Sequence, residues 1–130
     1  MTVFLLDANV LIALTIADHE HHDRVGGWFA AGPEFAVSPV VEGALVRFLV
    51  RVGEHPSTAQ ELLRHVHDRP ACTQWPDDVS YADIDLDDVR GHKQVTDTYL
   101  VSLAAAHDGR LVTLDASLAT RCSDAVLLPA

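Results

Sequence analysis

The chain has 130 residues, 48% of them hydrophobic, which is enough to bury one core without disulfide or metal staples and excludes disorder. A formal net charge of −10 argues against broad electrostatic attachment to nucleic acid, which needs clustered basic residues to displace counterions. It fits a surface covered by a basic partner, a site that collects cations, or plain solubility. No apolar run approaches the roughly 20 residues that span a bilayer, and no basic region precedes the first apolar stretch. Cys72 and Cys122 stand alone, outside any metal-ligand spacing. A single domain over residues 1–130, cytoplasmic and with reduced thiols, is expected.

Val3 to Leu6 is an apolar run of the kind buried on both faces of a parallel sheet, and it stops at Asp7. Asn9 to Ala17 reads as a short helix, and Val25 to Ala30 marks a second, ending near Gly32-Pro33. Phe35 to Val37 is a short strand. Ser38-Pro39 then starts a helix from Val40 to about Val52, with Ser as N-cap and Pro at the first helical position. A further helix opens at Pro56 and runs to about Asp68, making a helical hairpin with its predecessor. Thr73 to Trp75 is a possible strand. The run from Asp77 to Asp88, six Asp in twelve residues, is a solvated loop with one helical turn. A helix from about Thr96 to His107, a strand over residues 110–115 that again ends in Asp, and a last strand over residues 125–128 complete the order. Strands separated by helices imply a mostly parallel α/β sheet covered on both faces.

Four acids fall where acids are unusual. Asp7 and Asp115 end apolar strands, at the edge where open parallel sheets bind ligands. Glu42 lies within the apolar arc of its helix, one residue too late for a capping box with Ser38. Asp97 sits between the directions of Val101 and Ala104. Ordinary structural roles compete with chemistry here: Asp7 is a good N-cap, and Asp97 suits the positive end of a helix dipole. If the four converge, each close pair repels by roughly 3 kcal/mol at about 5 Å and an effective dielectric near 20. Such a cluster needs protons or a cation, and oxygen ligands without His or Cys favour Mg²⁺ or Mn²⁺.

The segments VFLLDANVLIAL, SPVVEGAL, VTDTYLVSLAAAHDG and LVTLD, in these relative positions, resemble PIN-domain ribonucleases of the VapC type, the toxins of bacterial type II toxin–antitoxin pairs. The resemblance covers nearly the whole chain and implies a PIN-like three-layer α/β/α domain with a helical hairpin. It also implies Mg²⁺-dependent endoribonuclease chemistry, homodimers, and neutralisation by a cognate antitoxin lying near the site. Asp7, Glu42, Asp97 and Asp115 become the acidic cluster, with Asp7, Asp97 and Asp115 as metal ligands. Asn9, Ser38 and Thr113 become polar supports for carboxylates and waters. RNA is the implied substrate, and no DNA binding is expected of this chain alone. Arg24, Arg47, Arg51, Arg64 and Arg69 are the dense supply of positive charge for an RNA backbone.

His19 to His22 departs from helical metal-ligand spacing and reads as surface histidines. Trp28 and Phe29 read as core rather than a base-stacking platform. A phosphatase of the haloacid dehalogenase type needs a second acid where this chain has Asn9. A receiver needs a late lysine, and Lys93 precedes the strand ending in Asp115. The remaining alternative is a catalytically silent PIN-like binding module.

Overall fold

The computed structural model describes residues 2–129. Its centre is a five-stranded sheet in the order β3-β2-β1-β4-β5, from Phe4–Leu6 (β1), Phe35–Val37 (β2), Cys72–Gln74 (β3), Arg110–Thr113 (β4) and Ala125–Leu127 (β5). Every strand pair is parallel. The apolar runs that announced β1, β2 and β4 are what a strand covered from both sides requires. Leu5, Leu6, Phe35, Leu111 and Val112 are accordingly buried.

Six helices surround the sheet: Ala8–Thr15 (α1), His22–Ala30 (α2), Pro39–Arg51 (α3), Pro56–His67 (α4), Val95–Ala106 (α5) and Ala116–Arg121 (α6). α3 and α4 form the expected hairpin. Gly53, at φ 92°, lets Glu54 N–H reach Leu49 O at 2.9 Å and Gly53 N–H reach Val50 O at 3.1 Å, which stops α3. Trp28 and Phe29 are half-buried in an edge-to-face aromatic row with Phe4 and Phe35.

Two expectations need correction. Ser38 was to cap α3 with its side chain, yet its buried hydroxyl makes no hydrogen bond. Asp77 does that work from the following loop, accepting from the Val40 amide at 3.1 Å. The acidic loop is therefore more than a solvated strip. Its one helical turn, as expected, is the 3-10 turn at Tyr81–Asp83, and a second such turn follows the loop at His92–Gln94. Asp78 meets His107 at 2.9 Å, His107 stacks on Trp75, and Tyr81 packs on Tyr99. These contacts tie the loop to the end of α5 and bring it beside α3.

The sheet order places the site. From β1 the chain moves outward to β2 and β3, then returns to the other side of β1 as β4. The gap between the carboxyl ends of β1 and β4 is thus the reversal point, where open parallel sheets leave a crevice.

Candidate active site

Asp7 follows β1 and Asp115 follows β4, so both flank that reversal point. The Asp7 amide donates to Val112 O at 3.0 Å, which binds the two strand ends together. Asp7 is also the N-cap of α1, its Oδ1 accepting from the Ala8 amide at 2.8 Å. Its Oδ2 accepts from the Thr113 hydroxyl at 2.7 Å. Both carboxylate oxygens of Asp7 are therefore engaged, one in capping α1 and the other with Thr113.

Asp115 caps α6, its Oδ1 accepting from the Ser117 and Leu118 amides at 2.9 and 3.2 Å. Its own amide donates to Thr113 Oγ1 at 3.0 Å. Asn9 completes the strap: its Nδ2 approaches Thr113 Oγ1 at 3.4 Å, and its Oδ1 accepts from the Leu114 amide at 3.2 Å. Asn9 and Thr113 thus lie where polar supports were expected, and Ser38 bonds no carboxylate.

Asp97 enters from the first turn of α5. Burial pushes the Asp7 carboxyl above the usual carboxylate value of 3.8; the Thr113 and Ala8 hydrogen bonds oppose this, and the charges of Asp97 and Asp115 add to it. Burial raises Asp97 as well, Asp115 adds to the rise, and Arg121 works against it. Three acids far apart in sequence therefore stand within one another's electrostatic field. Among the described residues, no three His, Cys, Asp or Glu side chains stand close enough together to hold a metal ion as they are placed. The donor set nonetheless fits a hard cation: it is all oxygen, and its raised affinity for protons is a deficit of positive charge.

Glu42, expected in the same cluster, has a partner of its own. Its Oε2 lies 2.6 Å from Nε2 of His67 on α4, a partner that the helical hairpin supplies. His67 was not foreseen, because a histidine in the last turn of a surface helix carries no signal of its partner. Arg121 was missed for the same reason. Its Nη2 lies 4.0 Å from Asp97 Oδ2, and among the described residues it is the basic side chain that pairs with one of the three acids. The arginines expected to serve RNA are partly engaged elsewhere: Arg24 bonds the carbonyls of Leu128 and Pro129, Arg51 lies over Phe48, and Arg69 lies over Phe29.

A parallel α/β domain with carboxylates at the reversal point of its sheet is the class that fold and site define. Residues 4–122 match the PIN domain family. The chain is 49% identical to Ribonuclease VapC29 of Mycobacterium tuberculosis, over 99% of this chain and 98% of that protein. It is 39% identical to Ribonuclease VapC39 of the same organism, over 92% and 93% of the two chains. Among solved structures it resembles VapBC2 from Rickettsia felis, bound to a promoter DNA fragment, with a TM-score of 0.67, 16% identity and 97% coverage of both chains; at that identity the likeness shows the fold. The chain belongs to the PIN-domain family, in its VapC branch.

Proposed function

We propose that this chain is an endoribonuclease toxin that hydrolyses RNA phosphodiester bonds with a divalent cation, Mg²⁺ or Mn²⁺ in its place, held by Asp7, Asp97 and Asp115. The observation that carries the reading is the convergence of these three acids at the β1–β4 reversal point, two of them with raised proton affinity. The similarity to proteins named ribonucleases supports RNA as substrate. A bound divalent ion would supply an activated water and neutralise charge on the phosphoryl oxygens.

The protein's own groups have defined tasks. Thr113 and Asn9 hold Asp7 and the start of the Asp115 turn in place, so the carboxylates need little reorganisation. The charge balance favours a basic partner, and a cognate antitoxin is the partner proposed. A homodimer is proposed as the assembly and the cytoplasm as its location.

The test uses purified chain free of any partner on a broad panel of RNAs, with Mg²⁺, Mn²⁺ or EDTA. Cleavage should require the ion and disappear in Asp7→Asn and Asp97→Asn. Wild-type protein that binds Mn²⁺ by calorimetry yet leaves every RNA intact would overturn the nuclease reading and leave a silent binding module.

A further inference from the structure

We propose that Arg121 is the resident counter-ion of the acidic cleft, competing with the divalent cation for Asp97 and withdrawing into the adjoining cavity when that cation binds. This rests on the metal-binding reading above.

One short helix delivers both charges. Asp115 caps the start of α6 and Arg121 closes its last turn, six residues on, so the helix spans about 9 Å from acid to base. Among the described residues, Arg121 is the basic side chain that pairs with one of the three acids, Asp97. Its contact with Asp97 is unfinished. At 4.0 Å the pair is beyond hydrogen-bond distance, and Nε and Nη2 are shielded from solvent with no acceptor. Shielded donors without acceptors are costly, and each such group calls for a partner that arrives or a position to which it moves.

The structure offers such a position. A cavity of about 280 Å³ beside Arg121 is lined by Asp85, Asp88, Asp124 and Ser102, and none of these pairs with the guanidinium. Arg121 therefore stands between two groups of carboxylates and is hydrogen-bonded to neither. A divalent ion in the cleft would repel the guanidinium from Asp97, toward the negative charge of the aspartates that line the cavity. At 4.0 Å from Asp97 the side chain offsets part of the cleft's negative charge in the absence of an ion.

Mn²⁺ calorimetry on wild type, Arg121→Gln and Asp97→Asn tests this without reference to activity. Removing the competing charge should tighten Mn²⁺ binding by about two- to fivefold in Arg121→Gln, while Asp97→Asn should abolish it. Unchanged or weaker binding by a folded Arg121→Gln protein overturns the counter-ion role. If wild type binds Mn²⁺ and Asp97→Asn does not, the metal reading survives that loss; if neither wild type nor Arg121→Gln binds, both fail. Should Arg121→Gln not fold, wild type supplies the second measurement. The Arg121 Nε–Hε resonance should shift and exchange faster as Mg²⁺ is added, and a resonance that stays fixed while the ion binds overturns the proposal.

Discussion

The Thr113 hydroxyl on β4 donates to Asp7 Oδ2 at 2.7 Å and its oxygen accepts from the Asp115 amide at 3.0 Å. One side chain thereby joins the carboxylate of Asp7 to the backbone of Asp115, residues from opposite ends of the chain. Thr113→Val keeps the shape and removes both bonds. Supporting groups of this kind are worth roughly 10- to 100-fold in metal affinity, so Mn²⁺ binding should weaken by at least about tenfold. Stability should fall by about 1–3 kcal/mol, because buried polar groups lose their partner. Thr113→Ser should restore both in calorimetry and denaturant titration.

The raised proton affinities of Asp7 and Asp97 set a pH dependence. Each binds its proton more tightly folded than unfolded, where the value is near 3.8. Below that value both states are protonated and the groups contribute nothing; as pH rises past it, the folded state alone retains protons and stability is progressively lost. Asp97→Asn should therefore stabilise chelator-treated protein most near neutral pH, with the gain vanishing below about pH 4. Thermal melts across that range measure it. A gain that grows as pH falls would reverse the sign of the argument.

Glu42 and His67 are both about three-quarters buried and 2.6 Å apart. Their coupling holds α3 to α4 at the mouth of the hairpin. His67→Leu should cost about 1 kcal/mol, equivalent to about 3 °C in melting temperature for a domain of this size. Combining it with Glu42→Leu should add less than the sum of the single changes, by about the same 1 kcal/mol. Strict additivity in that double-mutant cycle would mean that the two side chains do not interact.

Gly109 is where the turn after α5 crosses β1. A Cβ there would sit 2.4 Å from the Val3 carbonyl oxygen and 2.8 Å from the Trp75 ring. The backbone oxygen cannot move aside without displacing β1, so Gly109→Ala should cost about 1–3 kcal/mol. The substitution lies at the amino end of β4, opposite the acids, so Mn²⁺ affinity at low temperature should stay at the wild-type level. A melting temperature unchanged by Gly109→Ala would show that the close approach is easily relieved.

Much of the fold was legible because its signals are local. The Val3–Leu6 and Arg110–Leu114 runs could only be strands covered on both faces, and Pro39, Pro56 and Gly53 mark helix boundaries by their backbone constraints. Asp7, Asp97 and Asp115 stood out because each interrupts an apolar pattern. Ser38 misled because cap propensity is a local preference. Asp77 reached the same amide from 37 positions away, and a distant side chain leaves no mark in a local pattern.

The sequence by itself determined the element types and drew attention to the acids, since periodicity and burial cost act within a few residues. Strand order was decided by the tertiary structure, and with it the fact that β1 and β4 are neighbours whose carboxyl ends open on one crevice. So were the turn of Glu42 toward His67 and the approach of Arg121 to Asp97. Each of these depends on which side chains the packed helices bring into reach, and electrostatic partners act through space rather than along the chain.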